Sequence, residues 1–344
     1  MDYRGMKKPR VLISILNWNK SFQTLACVDS LERELATTFA DVTILVIDNG
    51  SRPEDVAELE AAADANRFQL TALPENLGFT GGHNIAIRMA IGDAYDFIWL
   101  MNNDATVSPG ALSQLIETMQ AQPRCGVATP VIREMSEAGT IEACLNTFDW
   151  RYRTFYRIYS IDEARQRQAE HPDGNWVAGT AAFFRVKALA DVGELDKRIF
   201  AYYDDPDICA RLGSRDWRSL CVFDASVFHE PKSNPDQLPL YCHYLTQRNA
   251  MLFWQKNVPR EYRRLLSLKV LDGALYSVNT LYRKGMKKQG DAALLGVYDF
   301  LSGRFGAPVL DRKVPVWLRA VCSFYGRYHD KKFDSPAITA SARS

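Results

Sequence analysis

The chain has 344 residues, enough for one large domain with an appendage or for two domains. Its composition is that of a soluble globular protein, and a formal net charge of +1 excludes a global electrostatic attraction to nucleic acid. The first apolar run, Val11 to Leu16, is too short for a signal peptide or a membrane span. We therefore expect neither secretion nor a transmembrane helix.

The cysteines are odd in number and form no C-x-x-C pair. Most of them sit within apolar runs, which predicts buried, reduced thiols in a cytosolic protein rather than disulfides or a zinc site. The seven are Cys27, Cys125, Cys144, Cys209, Cys221, Cys242 and Cys322.

Strand-like and helix-like segments alternate from residue 11 onward. Four apolar runs of strand length are Val11–Leu16, Val42–Ile47, Phe68–Leu73 and Ile98–Met101. Between them, Ser21 can cap a helix that ends near Leu35, Pro53 fits the first turn of a second helix, and a third continues to Ile91. This alternation predicts right-handed crossovers and a mostly parallel sheet in an α/β fold.

Each predicted strand ends in polar residues. The clusters are Asn17-Trp18-Asn19, Asp48-Asn49-Gly50-Ser51, Asn76-Leu77-Gly78 with Gly82 and Asn84, and Asn102-Asn103-Asp104. Asn and Asp are also common in turns, but four such endings predict a polar nucleotide pocket at the carboxyl edge of the sheet. Asp104 is the first candidate metal ligand, because Mg²⁺ and Mn²⁺ prefer oxygen ligands and substrate phosphates.

Two common nucleotide motifs do not fit. The glycines from Gly78 to Gly82 follow the third strand, whereas the dinucleotide fingerprint follows the first. The chain also lacks the Walker sequence G-x-x-x-x-G-K-[ST]. A dinucleotide site and a P-loop ATPase are therefore disfavoured.

The next part of the chain changes character. Gly126–Ile132 and Thr154–Ile158 resemble antiparallel additions, and Trp176–Phe184, Arg218–Phe223 and Val227–His229 are further strand-like runs. Pro206 favours a helix whose first turn carries Asp205 and Asp207.

The acids around Pro206 are the candidate general base. Asp204, Asp205 and Asp207 lie close enough to repel, which can raise the proton affinity of one of them, although acids also cap helices. Trp176, with Tyr202 or Tyr203, either offers a flat surface for a sugar or is an aromatic residue of the core. His229 ends a strand, and its residue type alone favours a structural role.

Taken together and in order, these motifs resemble the family 2 inverting glycosyltransferases of the GT-A fold, over about residues 9 to 230. Within that family the chain is most similar to bacterial rhamnosyltransferases of surface polysaccharide assembly. The resemblance rests also on Gly179, Arg185 and Arg211.

The resemblance implies a role for each matching residue. Asn102-Asn103-Asp104 takes the place of the D-x-D motif, with Asp104 and His229 as ligands of Mg²⁺ or Mn²⁺, and Asn102 departs from the more common Asp. Asp205 matches the catalytic base, Asp204 helps to hold the acceptor, and Asp48 and Asn49 read base and ribose. The implied donor-binding set is Asn17, Asn19, Asp48, Asn49, Asn76, Gly78, Gly82, Asn84, Asn102 and Asn103.

Residues 231–344 form a second region with a helical pattern at 243–254, 261–282 and 291–301, and a loose tail after Phe333. The middle helix is amphipathic with basic flanks. It suits either an anionic membrane surface or packing on the catalytic domain with a solvated basic end.

We therefore expect residues 1–230 to be a metal-dependent inverting glycosyltransferase domain with dTDP-rhamnose as the leading donor. The expected acceptor is a saccharide or a lipid-linked saccharide. We expect the protein in the cytoplasm, in peripheral contact with the inner membrane. No nucleic acid partner is expected. The alternatives are a nucleotidyltransferase and a catalytically silent saccharide-binding scaffold. A processive membrane synthase is disfavoured because Gln247-Arg248-Asn249 does not continue as Q-x-x-R-W. Oligomeric state stays open.

Overall fold

The protein is described by a computed structural model that covers residues 7–136, 139–230 and 237–333. The chain divides into two compact units, Met1–Lys232 and Ser233–Ser344. The tail after Phe333 lies outside the described residues.

Twelve strands lie in the described part of the first unit. They are β1 (Arg10–Asn17), β2 (Asp41–Asp48), β3 (Gln69–Ala72), β4 (Phe97–Asn102), β5 (Ala105–Val107), β6 (Cys125–Glu134), β7 (Ile141–Ala143), β8 (Leu145–Asp149), β9 (Thr154–Ile158), β10 (Asn175–Trp176), β11 (Ala181–Arg185) and β12 (Arg218–His229). The four strands predicted first from the sequence are β1 to β4.

The main sheet has nine strands in the order β3-β2-β1-β4-β11-β6-β12-β5, with β7 paired to β6. The pairs β3/β2, β2/β1, β1/β4 and β6/β12 are parallel, whereas β11 runs antiparallel to both of its neighbours. This mixed, mostly parallel sheet confirms the predicted fold class. The carboxyl ends of β1, β2, β4, β6 and β12 therefore share one edge.

Helices cover both faces of this sheet. They are α1 (Ser21–Leu35), α2 (Pro53–Asp64), α3 (Gly78–Gly92), α4 (Ala111–Ala121), α5 (Ile161–Glu170), α6 (Val186–Val192) and α7 (Asp204–Gly213). Alternate residues of β1 point to opposite faces, so Val11 and Ile13 join one buried layer with α1 and α4 while Leu12 joins the other with α3 and α7. Two apolar layers hold the carboxyl edge in place.

The start of α1 differs from the sequence-based expectation. Lys20, not Ser21, precedes the helix, and it makes no side-chain cap. Ser21 is the first helical residue, and both its backbone N–H and its hydroxyl donate to Asp55 Oδ1, at 3.0 and 2.9 Å. A carboxylate from α2 therefore satisfies the end of α1, which no local motif could indicate.

Four of the expected strand-like runs are arranged differently in the structure. The run Trp176–Phe184 is interrupted at Gly179 and Thr180, so that β10 joins a separate three-stranded sheet with β8 and β9 while β11 enters the main sheet. Strand β6 is antiparallel to β11, as expected, but parallel to β12. The two runs that end at His229 form one strand with a shift in register between Val222 and Ser226.

The second unit is helical. Its described helices are α8 (Leu240–Asn257), a 3-10 helix (Arg260–Leu265), α9 (Leu266–Arg283), α10 (Lys287–Leu301) and α11 (Val316–Phe333). The single helix expected over 261–282 thus begins as a 3-10 turn, and α11 had no counterpart in the prediction. None of the described helices is long and apolar enough to cross a membrane.

A buried polar cluster holds α8 and α10 together. Asp299 and Arg248 are fully buried, and the Tyr244 hydroxyl donates to Asp299 Oδ2 at 2.5 Å. Arg312 forms an ion pair with the same carboxylate. The ionic partners compensate for removing the Asp299 charge from water.

Candidate active site

The carboxyl edge brings the predicted polar clusters together in register. Asn17 pairs with Asp48 across β1 and β2, and Leu16 pairs with Asn102 across β1 and β4. At the other side of the sheet His229 pairs with Ala105, the residue that follows Asp104. Residues from four separate motifs thus meet at one edge.

Asp104 and His229 form the candidate metal centre. His229 Nε2 lies 3.0 Å from Asp104 Oδ1, with side-chain exposures of 7% and 30%. Asp104 Oδ1 is buried and, apart from this contact with His229, has no hydrogen-bond partner in the described part of the chain. Asn102 is adjacent, with its Nδ2 3.4 Å from His229 Nε2. One carboxylate oxygen and one imidazole nitrogen therefore face the same point.

Glu142, which the sequence did not indicate, completes this arrangement. Its Oε2 lies 2.7 Å from His229 Nδ1, the ring nitrogen that faces away from Asp104. Burial alone would lower the pKa of His229, but hydrogen bonds and charge from Asp104 and Glu142 outweigh it and raise that pKa to about 9. The short strand β7 carries this glutamate to the edge of β6, where no motif or spacing marks it.

Asp205 lies in the first turn of α7 at the same edge of the sheet. Its Oδ2 accepts a hydrogen bond from the Gly179 backbone N–H at 3.3 Å. The next residue, Thr180, accepts through its carbonyl a bond of 2.9 Å from the Asn102 backbone N–H. A short stretch of backbone therefore links the candidate base to the strand that ends at Asp104.

The neighbouring Asp204 is in a different environment. It is buried beside a small apolar cavity whose walls include Leu100, Phe184 and Ile208. Burial first, and the charge of Asp205 second, raise the pKa of Asp204 well above its usual range. The environment of Asp204 therefore favours its neutral form.

The loop before α7 has an unusual backbone. Phe200, Tyr202 and Tyr203 have positive φ angles of 66°, 65° and 72°. The Phe200 carbonyl accepts from the Thr80 N–H at 3.1 Å, at the start of α3. Such left-handed conformations in bulky residues are strained and are concentrated at functional sites. Here the strained loop ends at the two carboxyls.

At the ends of β1 and β2 the polar side chains form a connected network. Asn17 Nδ2 donates to Asp48 Oδ1 at 2.7 Å and to Ser51 Oγ at 3.1 Å, and Ser51 N–H donates to Asp48 Oδ2 at 3.0 Å. Asp48 is fully buried, yet each oxygen keeps acceptor capacity for a further donor. The Asn19 N–H also donates to Ser51 Oγ at 2.8 Å.

The amides of Asn49 and Asn76 hold the glycine turn. Asn49 Nδ2 donates to Asn76 Oδ1 at 3.0 Å and to the Gly78 carbonyl at 3.1 Å, while Asn49 Oδ1 accepts from the Leu77 N–H at 2.9 Å. Gly78 has φ +73°, and a Cβ there would lie 2.5 Å from the Phe200 carbonyl oxygen. Only glycine fits at this close approach.

Other residues of the predicted donor set have scaffold contacts. Asn84 binds both backbone groups of Leu195, at 2.9 Å each, and a Cβ on Gly82 would lie 2.3 Å from Leu16 Cδ1. Asn103 Nδ2 donates to Thr24 Oγ1 at 3.1 Å, and Thr24 in turn binds Asn17 Oδ1. Thr24 is a second residue that the sequence did not indicate, since it lies inside α1.

Trp176 is part of the core. It is 3% exposed and lies against Phe148 and Phe155, with ring centroids at 6.2 and 5.1 Å. The ring of Tyr203 packs 5.7 Å from Phe155 on the same cluster. The structure therefore gives Trp176 no open aromatic face and leaves Tyr203 nearest to the carboxyl pair.

His83, in the third helix beside the glycine turn, is also buried. Its Nδ1 lies 2.9 Å from Ser14 Oγ, and burial lowers the pKa of His83 to about 3. It is a neutral residue of the core.

The fold is the GT-A fold. A model of glycosyl transferase family 2 matches residues 13–193, more than half of the chain. The chain belongs to this family, which confirms the resemblance, and it is a glycosyltransferase. Family membership also decides against the nucleotidyltransferase alternative.

Among known proteins, the chain is 30% identical over 224 residues to the N-acetylglucosaminyl-diphospho-decaprenol L-rhamnosyltransferase of Mycobacterium tuberculosis, covering 58% of this chain and 71% of that relative. Two solved structures share the fold. One is the Pyrobaculum calidifontis mannosyltransferase PcManGT in complex with GDP-Man and Mn²⁺, with TM-score 0.52, 14% identity and coverage of 96% and 89%. The other is Staphylococcus aureus TarS 1-349 in complex with UDP-GlcNAc, with TM-score 0.56, 11% identity and coverage of 90% and 83%.

Proposed function

We propose that the protein is a metal-dependent inverting glycosyltransferase that moves a sugar from a nucleoside diphosphate to a hydroxyl of a saccharide or lipid-linked saccharide. The pathway is cell-surface polysaccharide synthesis, and dTDP-rhamnose is the first donor to test, since the mycobacterial relative is named an L-rhamnosyltransferase. The observation that carries the proposal is the approach of His229 Nε2 to Asp104 Oδ1 at 3.0 Å.

The two side chains suit a divalent cation. An oxygen and a nitrogen ligand fit Mn²⁺ or Mg²⁺, and the buried Asp104 oxygen has no other aligned partner in the described part of the chain. Within that part no group of three or more His, Cys, Asp or Glu residues could hold a metal by itself. The remaining ligands would be the donor's phosphates, and a bound cation would stabilise the negative charge of the departing diphosphate.

Asp205 is the proposed general base. An inverting transfer needs one group to take the proton from the acceptor hydroxyl as that hydroxyl attacks the anomeric carbon, and it needs no protein nucleophile. The half-buried Asp205 carboxylate meets this need, because its buried neighbour Asp204 favours the neutral form. Asp204 and Tyr203 then contact the acceptor, and the core residue Trp176 supports Tyr203 through Phe155.

The donor site is assigned to the remaining network. Asp48 and Asn17 bind base and ribose with Asn19, while Asn102 and Asn103 approach the ribose and phosphates. Asn49, Asn76 and Gly78 shape the turn beside them, and Gly82 and Asn84 fix α3 beneath. A lipid-linked acceptor would place the enzyme in the cytoplasm at the inner membrane.

The test is a panel of nucleotide sugars assayed for nucleoside diphosphate release with Mn²⁺, with Mg²⁺ and with chelator. We expect turnover of at least one donor, strict dependence on the cation, and a loss of about 10³-fold in Asp205→Asn. Asp104→Ala and His229→Ala should abolish the metal-dependent turnover. The matched control is Asp224→Asn, an exposed carboxylate whose ion pair is with Arg165. Metal-independent turnover unchanged in Asp104→Ala would refute the proposal.

A further inference from the structure

The two units carry opposite net charges. Residues 233–344 contain 18 Lys and Arg against 8 Asp and Glu, a net charge of +10, and residues 1–232 contain 24 against 33, a net charge of −9. The overall value of +1 hides this separation. A strongly basic unit attracts anionic partners through its own local field.

Helix α11 exposes an apolar stripe. Its inner face is fixed within the unit, because the Arg319 side chain donates to Asp291 and a Cβ on Gly326 would meet the Asn279 side chain. The opposite face carries large apolar side chains at helical spacings of four, three and four. These are Trp317, Val321, Phe324 and Tyr328, all classed as exposed, with Phe324 at 69%. Four such side chains on one face form a contiguous patch.

An arginine-lined cleft lies on the inner side of α11, and one of its arginines is next to the stripe. Arg283, Arg319 and Arg327 line an open cleft between α9, α10 and α11, and no acidic side chain is among its described lining residues. Asp291 forms an ion pair with Arg319, whereas Arg327 lies three residues after Phe324 and is therefore next to it on the helix surface. At the other end of the stripe, the Tyr298 ring lies 6.4 Å from Trp317 and 5.7 Å from the Arg304 guanidinium.

We propose that the stripe, with Arg327 beside it, forms a docking surface for an anionic lipid bilayer. Aromatic side chains enter the boundary between headgroups and acyl chains, and arginines beside them bind lipid phosphates. The basic charge of the unit complements the negative surface potential of such a bilayer. The surface differs from the one expected from the sequence, since it lies mainly on α11 and not on the amphipathic helix of residues 261–282.

The test is co-sedimentation of the full chain with vesicles of phosphatidylcholine alone or mixed with an equal part of phosphatidylglycerol. We expect binding to the mixed vesicles only, and weakening at high salt. Phe324→Ser should weaken binding about tenfold or more through lost apolar contact. Arg327→Gln should weaken it about fivefold, the value of one basic residue near a charged membrane.

Two exposed residues of the first unit provide matched controls. Phe22→Ser removes a phenyl ring that is 81% exposed, and Arg215→Gln removes an exposed guanidinium. Neither should change vesicle binding. Equal binding to both vesicle types, or no effect of Phe324→Ser and Arg327→Gln, would overturn the proposal.

Two further outcomes also count against a bilayer. A wild-type chain that sediments as a dimer, and a Phe324→Ser variant that sediments as a monomer, would assign the stripe to a second copy. Tight binding of inorganic phosphate that abolishes vesicle binding would assign the cleft to a free anion. Diphosphate release from the donor is measured in parallel without vesicles, so that a failure here leaves the proposed catalytic function intact.

Discussion

Replacing Glu142 by Gln tests the candidate metal centre without removing a proposed ligand. Glu142 Oε2 lies 2.7 Å from His229 Nδ1, so the carboxylate holds the ring with Nε2 directed at Asp104. Gln keeps an oxygen that can accept from Nδ1–H but removes the negative charge. Ala removes both, so the two variants form a graded series.

The expected loss follows from this geometry. A carboxylate behind a metal-binding imidazole fixes its tautomer and raises its basicity, and removing such a partner lowers metal affinity about 10–100-fold. We expect about tenfold weaker Mn²⁺ binding for Glu142→Gln, which keeps the hydrogen bond, and about 100-fold for Glu142→Ala. The KM for the metal should rise by a larger factor than the factor by which kcat, measured at saturating metal, falls.

The pKa of His229 gives the same variants a second signature. Its pKa of about 9 lies above the usual value of 6.5, so binding a cation through Nε2 must displace a proton at neutral pH. Mn²⁺ affinity should therefore increase from pH 6.5 to 9. In the metal-free chain the protonated ring stabilises the fold below pH 6.5, and this stabilisation is lost as pH rises through 9. Glu142→Gln should lower the pKa of His229, so that the rise in Mn²⁺ affinity and the loss of stability both occur at lower pH.

The assay is electron paramagnetic resonance of free Mn²⁺ titrated with protein in the presence of a nucleoside diphosphate. Glu134→Gln is the control, because the Glu134 side chain accepts a hydrogen bond from Thr140, although its backbone is in register with His229 on the next strand. Thermal unfolding of each variant checks the fold. Wild-type Mn²⁺ affinity and an unchanged pH profile in Glu142→Ala would refute the proposed arrangement.

Three further changes test other parts of the site. Asp204→Asn should retain turnover within about tenfold, because Asn mimics a neutral carboxyl, whereas Asp205→Asn should lose about 10³-fold, because Asn cannot accept a proton. Equal losses for the two variants in a diphosphate-release assay would contradict this. Gly78→Ala should lower the free energy of unfolding by about 2–3 kcal/mol, against about 1 kcal/mol for Gly110→Ala, which shares a positive φ but has open space around it; urea unfolding measures both. In the wild-type protein, burial lowers the pKa of His83 to about 3, so the ring resists protonation only in the folded state, and the free energy of unfolding falls between pH 6.5 and 3. His83→Gln should make this fall with pH less steep. An unchanged dependence of the unfolding free energy on pH would show that other groups cause the fall.

The sequence was sufficient for the parallel half of the sheet. Continuous apolar runs such as Val11–Leu16 are typical of strands covered on both faces, and their polar endings follow from where such sheets bind ligands. The predicted end of α1 agrees because its apolar spacing ends abruptly at Leu35. The contact of its first turn with Asp55 could not be predicted from the local sequence, because it joins two different helices.

Elements that depend on distant partners were not predictable. Trp176–Phe184 is continuous in hydrophobicity, yet Gly179 and Thr180 divide it between two sheets, and strand pairing is decided by partners far along the chain. Helix α11 carries apolar residues on both of its faces, so it lacks a clear amphipathic pattern. Glu142 is an isolated acid in a three-residue strand, and only the fold brings it to His229.

The antiparallel strand β11 explains how the proposed base meets the candidate metal centre. Because β11 runs against β4, its first residue pairs with Met101 near the carboxyl end of β4, and its last pairs with Phe97. The preceding residues, Gly179 and Thr180, are therefore placed at the carboxyl edge, where Gly179 N–H binds Asp205. A parallel β11 would have placed them at the opposite edge. The direction of one short strand thus decides whether Asp205 lies beside the residues that end β4, and no local feature of residues 181–185 encodes it.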